Sequence, residues 1–377
     1  MSAWPGKYLI GLTGNIATGK SVVRKMLEHL GAYGIDADAL AHRAIAKDAP
    51  GYKPVVDAFG TWILDPDGQV DRARLGRIVF TDPGALARLE SIVHPLVAKA
   101  VDLLVRRSKH KVVVVEAIKL LESGLGDACD SIWVTVAPQD VQLARLVQKR
   151  GLDAQTAQDR IRAQPPQADK VAAAQIIIYN EGTYEQAWQQ VIAAWKETVP
   201  SIDAEAQEPL PAKAGELVVE RARLQHVDAI AAFINRYSRG RRQLSRQDVI
   251  AALGEKAFLL LKVDDRLVGL VGWQVENLVA RTSDVYLQPA VSLENAMALL
   301  VQEVERASRE LQCEASLLFL PPHLARHEDV WRAQQYELRT IPGLKIRAWQ
   351  AAAEESMPEG TVMLFKQLRK DRVLRPV

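Results

Sequence analysis

Apolar and polar positions alternate between two periods along the first half of the chain. Tyr8-Leu9-Ile10-Gly11-Leu12-Thr13 is a short apolar run with the look of a buried strand. Behind it Val23, Met26, Leu27 and Leu30 recur at helical spacing, and Gly31 supplies a stop. The pattern predicts a second strand over 33–36 and, from four consecutive valines, a central parallel strand over 111–116. Runs at 131–136 and 175–179 repeat that pattern, with helices predicted between them, including 84–107 and 139–150. Strand–helix alternation of this kind predicts an α/β fold whose parallel sheet is covered on both faces.

The periodicity then stops. Residues 200–215 carry Pro200, Pro209 and Pro211 among acids and alanines and are read as a linker between two domains, 1–199 and 216–377. The second half predicts a strand at 217–219 and helices over 227–237 and 245–253. A hairpin over 258–263 and 267–275 turns at Asp264-Asp265. A strand over 278–287, a long amphipathic helix over 293–311, a strand over 315–320 and a short helix over 329–335 follow, an α+β order. Trp188, Trp195, Trp273 and Trp331 fall on apolar periodic positions and are read as core.

Composition narrows the class of protein. The 377 residues are 48% hydrophobic and 25% charged, which is ordinary for a globular chain. A net charge of +2 argues against nucleic acid or an acidic membrane as the main partner. No apolar run approaches a membrane span, and 1–7 runs into the first strand without a charged-then-apolar leader. Cys129 and Cys313, far apart in sequence, fit a reduced cytoplasmic compartment.

The chemistry is concentrated near the amino end. Gly14-Asn15-Ile16-Ala17-Thr18-Gly19-Lys20-Ser21, followed by Val22, fits G-x-x-x-x-G-K-[ST] between a strand and a helix. Glycines let backbone N–H groups turn inward around phosphate oxygens, and the helix N-terminus adds partial positive charge. Lys20 reaches the β- and γ-phosphates of a nucleoside triphosphate, and Ser21 is the expected Mg²⁺ ligand. The loop alone does not choose between kinase, GTPase and ATPase. Asp36 and Asp38 follow the second strand, where they can take a proton from an acceptor hydroxyl, hold Mg²⁺ through water, or cap a helix. Glu116 ends the valine strand, at a position suited to a magnesium-water ligand or to a plain surface turn.

These residues and several later motifs resemble the dephospho-CoA kinase family over about residues 7–196. The resemblance rests on Gly11-Leu12-Thr13-Gly14 with Gly19-Lys20-Ser21, and on Ile35-Asp36-Ala37-Asp38 with Ala41-His42. Phe59-Gly60, Asp67-Gly68, Asp71-Arg72, Leu75, Phe80 and His94-Pro95-Leu96 continue it. Arg145-Leu146, Arg150-Gly151, Arg160-Ile161, Gln164 and Asn180 complete it. The resemblance implies a P-loop NTPase-type sheet with a lid and acceptor-binding helices. It also implies transfer of the ATP γ-phosphate to the ribose 3′-hydroxyl of dephospho-CoA. Carried over, Lys20 and Ser21 hold phosphates and Mg²⁺, Asp38 is the base with Asp36 supporting it, Arg150 is the lid arginine, and Arg72 and His94 face the acceptor. Asn15 and Ala17 stand at places where the family usually has glycine, and Gln175 replaces a common aspartate. The family's P-L-L-F-E segment reads Ile118-Lys119-Leu120-Leu121-Glu122; Lys119 is expected either to contact an acceptor phosphate or to be a solvated strand-end lysine.

The element order of 215–377 resembles the GNAT acetyltransferase fold, with Arg221-Ala222, Asp228 and the hairpin at 257–275 as the suggestive residues. That family binds the acetyl-CoA pyrophosphate on a glycine-bearing loop before its long helix. Here the stretch reads Gln288-Pro289-Ala290-Val291-Ser292-Leu293, with no glycine between Gly272 and Gly343. We expect a GNAT-like domain without acetyltransfer that serves as a structural or interaction module or takes a CoA-type ligand. Arg236, Arg239, Arg241, Arg242 and Arg246 are read as a solvated loop, with phosphate, carboxylate or RNA binding as the other option. The competing readings of the whole chain are another small-molecule P-loop kinase, a nucleotide-binding regulatory pseudo-kinase, and a bifunctional kinase and N-acetyltransferase.

Overall fold

The computed structural model describes residues 4–79, 81–199, 215–238, 240–276 and 278–369, with side chains for all of these but Lys149 and Arg150. All of the expected linker except Gly215, together with Phe80 and Arg239, lies outside the described residues.

The first half carries five strands: β1 Tyr8–Thr13, β2 Tyr33–Asp36, β3 Val112–Glu116, β4 Ser131–Val136 and β5 Ile176–Tyr179. All pair in parallel, in the order β2-β3-β1-β4-β5. Every residue of β3 and β4 is buried, because helices cover both faces of the sheet. Those helices are α1 Lys20–His29, α2 Ala37–Ala44, α3 Tyr52–Phe59, α4 Arg72–Val79, α5 Pro83–Arg107, α6 Gln139–Arg150, α7 Ala154–Arg162, α8 Gln167–Ala172 and α9 Tyr184–Thr198. Local signals fix several ends. Asp82 accepts from Gly84 N and Ala85 N, with Pro83 opening α5, and Thr183 with Gln186 forms a capping box on α9. Chain order reverses around β1, and ligands gather at the carboxyl ends of strands at such a switch point. The register sets Asp36 beside Glu116, and Glu116 beside Leu12, two residues before Gly14.

The second half is a separate sheet of β6 Leu217–Arg221, β7 Ala257–Val263, β8 Arg266–Glu276, β9 Val279–Leu287, β10 Ala315–Leu320, β11 Glu337–Leu338 and β12 Val362–Gln367. Its order is β11-β12-β10-β9-β8-β7-β6, antiparallel except for β9 with β10. The helices are α10 Val227–Tyr237, α11 Arg246–Leu253, α12 Leu293–Glu310, α13 Pro322–Ala325, α14 Glu328–Ala333 and α15 Arg347–Ser356. Asp264 and Asp265 take φ of 47° and 61°, which gives the predicted hairpin its tight turn. The observed order follows the expected one, with α15 inserted before the last strand. Trp188, Trp273 and Trp331 are buried; Trp195 is half-buried against the same cluster as Trp188. In the arginine loop, Arg242 pairs with Asp284, Arg246 pairs with Asp228, and Arg236 lies over the Tyr237 ring.

The halves meet along α1, α2 and the β1–β2 region. Lys25 Nζ donates to Val275 O at 3.2 Å, His29 Nε2 to Leu253 O at 2.7 Å and the Tyr33 hydroxyl to Leu311 O at 3.4 Å. Arg43 pairs with Glu314, which is 1% exposed, at 2.5 Å. Burial, with the neighbouring Arg221 charge, holds the His29 ring neutral, with a pKa lowered to about 4.

Candidate active site

The loop after β1 closes around positive-φ backbone. Gly14 has φ 149° and Gly19, which precedes α1, has φ 94°. A Cβ on Gly19 would lie 1.8 Å from Asn180 Nδ2, and one on Gly14 would lie 2.4 Å from Thr135 O. Ala17 adopts φ 58°, so the position that departs from glycine still has the left-handed conformation glycine favours. Lys20 Nζ donates to Gly14 O and Asn15 O at 3.0 and 3.1 Å. Thr18 Oγ1 bonds Asn15 O and Thr135 Oγ1 from beneath. The outer side is braced by Asn180 Nδ2 on Thr18 O and by Arg145, which donates to Ala17 O and Asn180 O. Asn15 Nδ2 reaches Pro165 O, tying the loop to the segment between α7 and α8.

Four acidic and hydroxyl side chains gather beside it. Ser21 Oγ donates to Glu116 Oε1 at 2.8 Å, and Arg24 Nε to Glu116 Oε2 at 2.6 Å. Glu116 is 4% exposed, which rules out the surface-turn reading. Arg24 also bonds Glu28 and lies 3.9 Å from Asp36. Asp36 caps α2 through Ala39 N at 2.8 Å, so the capping role falls to the first aspartate of the pair. Burial and the Glu116 charge raise its pKa. Asp38 sits in the first turn of α2 and accepts from Ile118 N at 3.1 Å. Burial, then the Asp36 charge, pushes it up to about 6, while the Ile118 N–H pulls the other way.

Ile118 organises the far wall. Its carbonyl takes the Thr13 hydroxyl at 3.1 Å and Lys170 Nζ at 2.5 Å. Lys170, on α8 and 2% exposed, has its pKa lowered by burial and feels the charge of Asp38. The sequence reading missed Lys170, Arg24 and the Ile118 N–H; a long-range contact to a main-chain atom leaves no local pattern. The family's proline at this position would have no N–H to give Asp38. We therefore expect Ile118→Pro to move the acid limb of the pH–rate profile upward by about 0.5–1 pH unit with the fold intact. An unmoved limb would show that the bond does not tune Asp38.

The remaining predicted residues spread around this centre. Arg72 opens α4 and donates to His42 Nε2 at 2.9 Å. His94 is half-buried within α5, one turn from Glu90, and Glu90 pairs with Lys119. Ile16 and Val22 belong to the loop and the first turn of α1. Arg150 is the last residue of α6; its side chain lies outside the described residues. Gln175 Oε1 accepts from Ile132 N at 2.5 Å, so it stitches the start of β4.

The dephospho-CoA kinase family model matches residues 8–186. A dephospho-CoA kinase of Geobacter metallireducens is 45% identical over 194 residues, spanning 51% of this chain and 96% of that protein. The chain belongs to the dephospho-CoA kinase family. The match lies in the first half, which is the phosphotransferase: it moves phosphate from ATP to dephospho-CoA. Among solved structures, a dephospho-CoA kinase from Campylobacter jejuni is 27% identical over 51% of this chain and 96% of its own, with a TM-score of 0.38. A PaiA N-acetyltransferase from Thermoplasma acidophilum is 9% identical over 40% of this chain and 99% of its own, with a TM-score of 0.31.

Within the kinase half, the donor set suits Mg²⁺. The Ser21 hydroxyl and the Glu116 carboxylate are in contact, and burial with a neighbouring carboxylate charge, Glu116 for Asp36 and Asp36 for Asp38, raises the pKa of both aspartates. Carboxylates clustered in this way are relieved by a cation, and Mg²⁺ takes one or two protein oxygens, the rest coming from phosphate and water.

Proposed function

We propose that residues 14–22 hold the ATP phosphates and that Asp38 is the base for transfer to the ribose 3′-hydroxyl of dephospho-CoA. The observation that carries this is the Asp38 carboxylate, held by Ile118 N at the carboxyl edge of the sheet beside Ser21 and Glu116. With a pKa of about 6 it is ionised at neutral pH and still basic enough to take a proton. The 3′-O–H bond breaks toward an Asp38 oxygen, the 3′-oxygen bonds the γ-phosphorus, and the bridging oxygen leaves with ADP. Lys20 spans β- and γ-phosphates, and Arg150 meets the charge on the moving group. Ser21, with Glu116 and Asp36 acting through water, would hold Mg²⁺, which would supply neutralising charge to the phosphates. Arg72, His94 and Lys119 are assigned to the acceptor side.

ATP consumption measured with and without dephospho-CoA tests this. Acceptor-dependent turnover in the full chain, lowered at least about 10²-fold in Lys20→Ala, is expected. Turnover untouched by the substitution would remove the assignment.

We further propose that 1–199 and 216–377 are separate domains and that the second does not transfer acetyl groups. The N-terminus of α12 is capped by its own Ser292, which accepts from Asn295 N, and no glycine opens that turn. Two free thiols favour a reducing compartment, for which we name the cytoplasm. Among the described residues, no helix is long and apolar enough to cross a membrane.

A further inference from the structure

A cleft of about 580 Å³ opens between the two halves, beside α2. Its kinase wall carries His42, Arg43, Asp65 and Arg72, and its other wall is α15 of the second half, with Arg347 and Glu355. The volume suits a small-molecule ligand. Asp38 and His42 are four residues apart on α2, so they share a face about 6 Å apart along the helix.

The charges in this cleft are paired with one exception. Arg43 meets Glu314, Arg74 meets Asp71, Arg281 meets Glu355 and Arg347 meets Asp65. Arg72 has no carboxylate partner among the described residues; it donates to His42. Burial and the neighbouring Arg72 charge hold the His42 ring neutral, with a pKa lowered to about 4, so His42 can accept that bond but cannot balance the charge. The lining holds three arginines and three carboxylates, and among the described residues Arg72 is the one of those arginines that no carboxylate contacts. Arg347 lies at its border, bonded through Nη1 to Asp65 Oδ2 at 2.5 Å, with its side chain 57% exposed. A guanidinium has five N–H donors, so this bond leaves others for a second oxyanion.

We propose that Arg347, contributed by the second half, is a ligand of the acceptor's diphosphate, so that the second half completes the acceptor site of the kinase. The inference rests on the reading of Asp38 as the base. With the ribose 3′-hydroxyl at Asp38, the 5′-diphosphate on the same sugar extends along the α2 face toward His42, Arg72 and Arg347. Arg72 supplies a guanidinium that no carboxylate engages, and Arg347 swings an unused N–H edge from the opposite wall.

Steady-state kinetics on the full chain test this with three variants. Arg347→Ala is expected to raise KM for dephospho-CoA about tenfold and leave KM for ATP unmoved. Asp65→Asn keeps the oxygen that holds its own turn but releases Arg347; KM for dephospho-CoA is expected to stay level or fall. In the double variant KM stays high. An Arg347→Ala KM equal to wild type overturns the proposal. So does a rise in Asp65→Asn as large as in Arg347→Ala, which would make the pair a mere clamp. A double variant restored to wild type also overturns it, since the single effect would then be repulsion by Asp65 alone. A wild-type chain without acceptor-dependent turnover would instead strike the underlying kinase assignment.

Discussion

Asp38→Asn is expected to keep ATP bound while kcat for phosphate transfer falls by roughly 10²–10⁴, the range for loss of a positioned general base. Asparagine can still accept from Ile118 N, so the first turn of α2 keeps its place. Burial and the Asp36 charge push the carboxyl up to about 6, so the activity of the unaltered chain is expected to rise with pH through that value and level off above it. The variant loses this limb. Stability moves the other way. A folded-state pKa raised above the ordinary carboxylate value means that ionising Asp38 costs folding free energy, a cost that grows as pH climbs from about 4 to about 6 and then stays. The neutral amide escapes it, so the thermal midpoint at pH 7.5 is expected to rise as turnover disappears. A stopped-flow or coupled assay and a melting curve check both halves; near-normal turnover would remove Asp38 from the chemistry.

Gly19→Ala carries the second large effect. At φ 94° an alanine costs about 1–2 kcal/mol, and its Cβ would sit 1.8 Å from Asn180 Nδ2. Asn180 must then withdraw from Thr18 O, and Arg145 loses part of its seat on Asn180. The backbone donors of the loop lose their common aim. We expect a drop of about 10²–10³ in kcat/KM for ATP and a lower melting temperature. Retained nucleotide affinity, measured by titration calorimetry, would show that the loop tolerates the change.

Much of the kinase half is legible in the chain because its signals are local. The valines of β3, the spacing of Val23, Met26 and Leu27, and the glycines around Lys20 each act through neighbours in sequence. The hairpin at Asp264-Asp265 and the long α12 are legible for the same reason. The short helices α7 and α8 carry few apolar residues and are held by tertiary contacts such as Lys170 with Ile118 O, so periodicity does not reveal them. The two aspartates illustrate the limit. The residue pattern left capping and catalysis open at both, the family resemblance implied Asp38 as the base, and the backbone geometry gives the cap to Asp36 with Asp38 facing Ile118. The cleft at Arg347 joins residues almost three hundred positions apart, and no motif announces it.

The grip of α1 and β2 on the second half has a further consequence. Lys25, His29 and Tyr33 each hold a main-chain oxygen, at Val275, Leu253 and Leu311. Those oxygens persist whatever side chains stand there. At these three points the attachment of the appended sheet to the kinase half is therefore indifferent to which side chains stand at 253, 275 and 311.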